Sequence, residues 1–158
     1  MISIAKIKEL FRKGLNSNND PKTLAFSFCL GIYIAFSPFP GAHTIMMVLA
    51  KFLFRINFPI LFIATSFNNP WTMIPFFSFD YFFGYWFTHS ILGLTPGWVI
   101  SLEKIFGSGS ICVWSFIIGG NVLGIFAGIA SYPFAKIFFT NLALKRQKHS
   151  SSNELEKS

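Results

Sequence analysis

The chain has 158 residues, which is enough for one domain and short for two. Hydrophobic residues make up 53% of it and charged residues only 12%, against about 25% in an ordinary soluble domain. This composition excludes an ordinary soluble globular domain and predicts an integral membrane protein.

The net charge of +7 is concentrated at the two ends of the chain. Residues 1–22 and residues 136–158 each hold five basic and two acidic residues. No basic face interleaved with base-stacking aromatics accompanies this charge, which argues against a nucleic-acid partner. The positive-inside rule instead predicts a multi-pass protein of the inner cell membrane with both termini cytoplasmic.

Residues 1–19 are predicted to form a basic amphipathic helix and a loop that lie on the membrane surface. A helical membrane domain is predicted over residues 20–144, and residues 145–158 are predicted to be a disordered polar tail. Within the domain, Asp20 followed by Pro21 is a typical helix start, and the helix is predicted to run to about Phe36.

Two apolar runs in this domain are each interrupted by proline and small polar residues. The first interruption is Ser37-Pro38-Phe39-Pro40-Gly41, which lies between Pro21–Phe36 and a second run, Ala42–Phe54. Each of these arms spans about 22 Å as a helix, less than the hydrocarbon core of about 30 Å. They predict a proline-broken helical hairpin that is re-entrant or strongly tilted.

The second interruption is Asn68-Asn69-Pro70-Trp71-Thr72, which follows a run opened by Phe58 and Pro59. Non-helical backbone within a bilayer is tolerated only where it is buried in protein or lines a wet cavity. Both interruptions are therefore predicted to face a polar hollow below the lipid headgroups.

Full transmembrane helices are predicted farther along the chain. Trp71–Leu92 is long enough to cross, Gly93–Gly109 is a loop, and Ser110–Tyr132 is the clearest span, which Pro133 is expected to end. Three glycines four residues apart on this span predict close helix packing, within the subunit, in a homo-oligomer or with an envelope enzyme: Gly120, Gly124 and Gly128.

Basic residues near the first interruption are candidates for binding an anion. His43, Lys51 and Arg55 are spaced so as to share one helical face. Arg55 would grip a phosphate with two hydrogen bonds, and Lys51 would act as a point charge. Alternatively, Lys51 and Arg55 are interfacial anchors and His43 is a hydrogen-bonded buried histidine.

Other polar residues near the interruptions are further candidates for a substrate site. The amides of Asn57, Asn68 and Asn69 are able to contact a ligand, although asparagine before proline more often caps or turns a chain. The hydroxyls of Thr44 and Thr72 would satisfy freed backbone groups. A further candidate, not tied to this group, is an acid in the Trp71–Leu92 run.

That acid, Asp80, requires a partner, a proton or water if it lies in hydrocarbon. We expect it to pair with Arg55 or Lys51 or to couple protons; the alternative is a harmless position near the surface.

Cys29 and Cys112 are interpreted as small buried hydrophobes. The motifs of nucleophilic, phosphate-binding and metal enzymes are missing from the sequence, so no catalytic activity and no metal or cofactor is expected.

Several short motifs, in this order and spacing, resemble the DUF2062 family of bacterial membrane proteins over about residues 5–140. The matching residues are Gly31, Phe36-Ser37-Pro38-Phe39-Pro40-Gly41-Ala42-His43-Thr44, Arg55-Ile56-Asn57, Asn69-Pro70-Trp71-Thr72, Pro75 and Gly84. The family has no assigned biochemical activity. Fusions of some relatives to glycosyltransferase domains imply work on envelope polysaccharides or lipid carriers.

These features together predict an all-helical membrane protein that binds or translocates an anionic amphiphile, such as a lipid-linked phosphate, at the two interruptions. One alternative is a non-catalytic scaffold that docks a glycosyltransferase or another envelope enzyme. A second alternative is a small-ion or proton channel based on Asp80 and His43.

Overall fold

The structure, a computed structural model, describes residues 4–16, 20–39, 41–68, 71–93, 97–101 and 110–155. It is mostly helical, which confirms the helical part of the predicted fold class, but it also contains two short strands that were not predicted. The helices are α1 (Ile4–Asn16), α2 (Pro21–Phe36), α3 (His43–Leu53), α4 (Phe58–Thr65), α5 (Met73–Trp86) and α6 (Val113–Leu155). A π-helical turn, Phe87–Ile91, extends α5, and two short antiparallel strands, β1 (Val99–Ser101) and β2 (Ser110–Cys112), precede α6.

Both ends of α2 follow from its sequence. The carboxylate of Asp20 accepts the backbone N–H of Lys22 at 3.5 Å, and Pro21 occupies the first helical position, where no N–H is needed. At the other end, Pro38 disfavours helical backbone at Ser37, which is extended with ψ 127°. The predicted bounds of this helix are confirmed.

The glycine face of α6 packs against α2 in the same chain. A Cβ at Gly128 would lie 3.2 Å from the carbonyl oxygen of Cys29, and one at Gly124 would lie 3.1 Å from Tyr33. At Gly120 the corresponding neighbour is the carbonyl oxygen of Phe36, at 2.8 Å. Residue numbers rise along α2 as they fall along α6, so the two helices are antiparallel.

Helix α4 runs parallel to α2, and α3 makes the return connection between them. The N–H of Asn57, just before α4, donates to Ser27 Oγ at 2.7 Å. Farther along, Thr65 Oγ1 donates to the carbonyl oxygen of Gly31 at 3.4 Å. A Cβ at Gly31 would lie 2.5 Å from Ala64 Cβ, so this glycine permits the close approach of the two helices.

Helix α5 crosses α6 in close contact. A Cβ at Gly84 would overlap the carbonyl oxygen of Ser115, and a Cβ at Gly119 would overlap the carbonyl oxygen of Asp80. Contact between the two backbones is possible only because neither glycine carries a side chain.

Helix α6 is the element that fits a membrane span. Among the described residues, its stretch Val113–Arg146 is the one helix that is long and apolar enough to cross a bilayer, judged by length and composition. The prediction that Pro133 ends this helix is wrong. Proline removes one helical hydrogen bond. The helix nevertheless continues, because residues on both sides of Pro133 pack on α2: Gly128 contacts Cys29 before the proline, and the buried Ala135 and Phe139 pack there after it.

The segment predicted as a disordered tail continues this helix. Regular helix extends to Leu155, beyond the predicted boundary at residue 145. Ala143, Leu144 and the Lys145–Lys148 segment are all strong helix formers, so local propensity favours continuation.

Two other predicted boundaries also change. Regular α-helix in the Trp71–Leu92 run covers only Met73–Trp86, about 21 Å, before the π-helical turn begins. The Gly93–Gly109 segment, predicted as a loop, contributes β1 to the short hairpin, while its residues 94–96 and 102–109 lie outside the described ranges.

Candidate functional site

The predicted basic face is divided between helix and turn. Helix α3 ends at Leu53, and Phe54 is already extended with φ −126° and ψ 147°, so Arg55 does not lie on the same helical face as His43. Arg55 is exposed in the α3–α4 turn. Lys51 is also exposed, and its Nζ donates to the carbonyl oxygen of Ile56 at 3.3 Å. The turn therefore presents two positive side chains at the surface.

Asn57 serves this turn as a helix cap. Its side-chain oxygen accepts the N–H of Ile60 at 3.2 Å, and only 3% of the residue is exposed. This is the usual capping arrangement, which satisfies one of the free N–H groups at the start of α4. Ser27, which accepts the N–H of Asn57, donates in turn to the carbonyl oxygen of Thr23 at 2.7 Å. These bonds fix the turn against the first half of α2.

The two proline interruptions meet at the opposite end of α2. The side-chain amide of Asn68 donates to the carbonyl oxygen of Ala35 at 2.6 Å. His43 Nε2 lies 3.2 Å from the carbonyl oxygen of Ser37, which joins the start of α3 to the end of α2. Thr72 Oγ1 donates to the carbonyl oxygen of Phe67 at 2.7 Å. Side chains from both interruptions thus satisfy backbone groups freed where the helices break.

Three of the residues predicted to form these interruptions, Pro40, Asn69 and Pro70, lie outside the described ranges. Thr44 lies in the first turn of α3 with its side chain exposed. Most of the predicted site residues that the structure describes therefore fall into two groups. His43, Asn68 and Thr72 lie at the interruptions, whereas Lys51, Arg55 and Asn57 lie at the α3–α4 turn.

Asp80 does not pair with Lys51 or Arg55. It is fully buried against α6, and neither carboxylate oxygen has a hydrogen-bond partner among the described residues. The α3–α4 turn lies beside Ser27, whereas the end of α2 near Asp80 is at Phe36, about 14 Å farther along the helix. The expected ion pair is wrong because the two groups lie at different levels of the molecule.

An apolar cavity of about 540 Å³ lies between α1, α2, α4 and α6. Its lining is almost entirely aromatic and aliphatic, and Ser131 is the polar residue among the described lining residues: Phe11, Phe28, Ile60, Ile63, Ser131, Phe134, Ala135, Phe138 and Phe139. Arg12 directly follows Phe11 in α1, and Lys136 directly follows Ala135 in α6. Both basic residues are exposed, and each lies about 100° around the helix axis from the lining residue before it. The helices that line the cavity therefore also carry exposed basic residues, although none of the described lining residues is charged.

A polar network between α5 and α6 was not predicted from the sequence. Thr88 Oγ1 lies 3.0 Å from Ser115 Oγ and donates to the carbonyl oxygen of Gly84 at 2.7 Å. His89 Nδ1 lies 2.8 Å from the carbonyl oxygen of Tyr85. A sequence signal for this contact exists, because Gly84 and Thr88, like Ser115 and Gly119, are small residues four apart.

The comparisons with known proteins identify one family. The sequence profile of a family described as "uncharacterized protein conserved in bacteria (DUF2062)" matches residues 5–148. No curated protein and no solved structure matches the chain. Since the profile spans most of the sequence, including the interruptions and the α3–α4 turn, the chain belongs to the DUF2062 family.

Proposed function

We propose that this chain is a multi-pass protein of the inner cell membrane that binds an anionic amphiphile, such as a lipid-linked phosphate, and moves it between the two faces of the bilayer. The observation that carries the proposal is the apolar cavity of about 540 Å³, two of whose lining residues, Phe11 and Ala135, are each followed in their helix by an exposed basic residue. Ligand pockets typically have volumes of about 300–1,000 Å³, so this one is large enough to hold part of an acyl or isoprenoid chain.

The distribution of apolar and basic side chains supports a membrane environment. From Val113 to Lys136 along α6 is about 35 Å, close to the hydrocarbon thickness of about 30 Å. Large apolar side chains cover the outside of the molecule, among them Phe52, Trp71 and Phe134, which are 84%, 83% and 76% exposed. In water such a surface would aggregate, whereas in a bilayer it contacts lipid tails.

The basic side chains collect at one end of this apolar body. Antiparallel packing brings the start of α2 and the later part of α6 together, and the bond between Asn57 and Ser27 places the α3–α4 turn near the same end. Lys22, Lys51, Arg55 and Lys136 are all exposed there. This end is assigned to the cytoplasmic face by the positive-inside rule.

An amphiphile would bind with its anionic head at this end and its tail in the cavity. Arg55 would hold a phosphate through two hydrogen bonds, and Lys51 and Arg12 would add point charge. Asn57 connects the basic turn with the cavity. It lies two residues after Arg55, and its side-chain oxygen accepts the N–H of Ile60, a residue that lines the cavity.

The two interruptions support movement as well as binding. Gly120, which contacts the end of α2, is about 24 Å along α6 from Lys136 and about 10 Å from Val113. The broken backbone is therefore assigned a depth within the hydrocarbon, where it must be buried or line a polar path. Pro38 and Ser37 are both buried.

Leaflet exchange in liposomes tests this proposal. The purified chain is reconstituted with fluorescent phosphatidylglycerol, which is anionic, or fluorescent phosphatidylcholine, which has no net charge. We expect faster exchange of phosphatidylglycerol than in protein-free vesicles. Arg55→Ala should weaken its binding at least about tenfold, because a hydrogen bond to a charged group contributes about 1.5–3 kcal/mol. Lys22→Ala, another exposed basic residue at the same end but away from the turn, is the matched control.

Filling the cavity with a larger side chain provides a second, independent test of the proposal. Ala135→Leu adds three carbon atoms to a lining residue that is 6% exposed. We expect it to reduce phosphatidylglycerol binding while the charge of the turn is unchanged. Equal exchange of both lipids, or loss of exchange in Lys22→Ala to the same degree as in Arg55→Ala, would overturn the proposal.

A further inference from the structure

The junction of α2, α5 and α6 contains buried polar atoms without hydrogen-bond partners. Asp80 and Ser37 are both 0% exposed. Within the described ranges, the two carboxylate oxygens of Asp80 have no hydrogen-bond partner, and neither does the hydroxyl of Ser37. Buried polar groups are nearly always hydrogen-bonded, so three such atoms in one region require an explanation.

Packing places these two residues in the same junction. The carbonyl oxygen of Phe36 and Cδ of Pro38 would lie 2.8 and 2.9 Å from a Cβ at Gly120, so Ser37 lies between two groups in contact with α6. The adjacent Gly119 contacts the backbone of Asp80. The ring of Phe36 is also 5.0 Å from that of Phe76, one helical turn before Asp80.

The other titratable groups around this junction have separate contacts. On α3, His43 is bonded to the carbonyl oxygen of Ser37, and on α2 the hydroxyl of Tyr33 donates to Asn121 Oδ1 at 2.9 Å. On α5, the hydroxyl of Tyr81 lies 3.5 Å from the backbone N–H of Cys112. Among the described residues, none of them forms an ion pair or a hydrogen bond with Asp80. Within the described ranges, the carboxylate therefore has no ion-pair partner.

The oxygen atoms present at this junction are of the kind that binds a small cation. A carboxylate, a hydroxyl and the carbonyl end of a helix are all oxygen donors, and the C-terminus of α2 carries partial negative charge. The carbonyl of Phe36 has lost its usual helical donor as well, because residue 40 is a proline and has no N–H. Broken helix ends in membrane carriers coordinate Na⁺ or a proton through such carbonyl groups.

We propose that Asp80 and Ser37 form a binding site for a small monovalent cation, Na⁺ or a proton, at the junction of α2, α5 and α6. The site is distinct from the amphiphile site, and it stands if the amphiphile proposal fails. It holds positive charge inside the apolar body of the protein, next to the two interruptions.

Carbodiimide labelling tests this site directly. Dicyclohexylcarbodiimide modifies protonated carboxyl groups in apolar surroundings, and a bound cation protects them. The purified full-length chain in detergent is treated from mildly acidic to mildly alkaline pH, with NaCl or with choline chloride at equal ionic strength, and the modified residue is identified by mass spectrometry of peptides. Asp80→Asn is the negative control, and Asp20→Asn changes an exposed acid elsewhere.

We expect labelling at Asp80 that declines as the pH rises. Protection by NaCl but not by choline chloride identifies Na⁺ as the ligand. In that case Ser37→Ala should raise the NaCl concentration for half-protection about tenfold, because a hydroxyl partner of a charged group is lost. A decline with pH and no sodium protection identifies the proton. Labelling that responds to neither, or no modification of Asp80 in protein of normal helical content, would overturn the proposal.

Discussion

At the scale of single residues, the tightest contacts of the molecule occur at glycines that do not belong to the regular glycine series. Gly120, Gly124 and Gly128 are recognisable from their spacing, and they do pack on α2. Gly84 and Gly119 allow a closer approach still and contact each other across the two helices, yet in the sequence each lies four residues from threonine or serine rather than from another glycine. A search for glycines alone therefore finds the α2–α6 contact and overlooks the α5–α6 contact.

Replacing Gly84 by alanine tests this difference. The new Cβ would overlap the backbone carbonyl of Ser115, which cannot move without shifting α6. We expect a loss of about 1–3 kcal/mol in the free energy of unfolding, as for other overpacked sites, measured as a lower melting temperature in detergent.

Gly128→Ala is the matched control for that experiment. Its nearest neighbour, the carbonyl oxygen of Cys29, would be 3.2 Å from the new Cβ, and alanine favours a helix over glycine by about 1 kcal/mol. The control is expected to unfold close to the wild-type temperature. If it is destabilised as much as Gly84→Ala, the two helix contacts are equally tight and our interpretation is wrong.

Polar residues show a similar limit of sequence reasoning. Asn57 was a candidate for ligand binding, and the structure gives it a capping role at the start of α4. Both roles use the same amide, and only the three-dimensional position of Ile60 and Ser27 decides between them. The orphaned hydroxyl of Ser37 carried no sequence signal at all, because serine before proline is common in ordinary turns.

At the scale of secondary structure, helix starts marked by a cap and a proline together were predicted correctly, whereas the start of α6 was not, because Ser110–Cys112 form β2 instead of the first turn of that helix. The beginnings of α2 and α4 follow from Asp20-Pro21 and from Asn57 before Phe58-Pro59, where a cap and a proline act together. Pro133 was a misleading end signal. The hydrogen bond that the proline removes from α6 is offset by packing against residues far away in the sequence, which holds the helix together on both sides of the proline.

Phe11 contributes an aromatic contact to the attachment of α1. Phe11 packs against Phe138 and Phe139 with ring centroids 6.4 and 6.5 Å apart. Aromatic pairs contribute about 0.5–1.5 kcal/mol each, so Phe11→Ala should increase the population of molecules with α1 released. Cleavage by trypsin after Arg12 and Lys13 should then become about fivefold faster, since 1 kcal/mol changes an equilibrium by that factor.

Glu9→Gln separates packing from charge in α1. The carboxylate of Glu9 lies 3.0 Å from Lys13 Nζ, but both side chains are more than half exposed. Exposed ion pairs contribute about 0–1 kcal/mol, so this variant should be cleaved at nearly the wild-type rate. Faster cleavage of Glu9→Gln than of Phe11→Ala would show that charge, not the aromatic cluster, holds the helix.

At the scale of the whole molecule, the direction of the helices constrains the placement of the chain ends. Because α2 and α6 are antiparallel, Lys22 at the start of one helix lies at the same end of the molecule as the later turns of the other. The charge distribution predicted the same arrangement from the sequence alone. The positions of α3, α4 and α5 along the length of α2 could not be predicted, since they depend on contacts such as that between Asn57 and Ser27.

Cysteine labelling tests the orientation. In a chain with Cys29 and Cys112 replaced by alanine, Lys22→Cys and Lys145→Cys introduce thiols at two exposed positions. A maleimide that cannot cross membranes should label both in inverted inner-membrane vesicles and neither in intact cells, because both positions are assigned to the cytoplasmic face. Labelling of one position in cells and the other in vesicles would contradict an even number of crossings.

The bond between Asn68 and the carbonyl oxygen of Ala35 has a mechanical consequence. A displacement that separates the two broken segments would rupture this bond and leave the peptide oxygen of Ala35 without that donor, which costs about 1–3 kcal/mol while the oxygen stays buried. The two interruptions are therefore expected to move together.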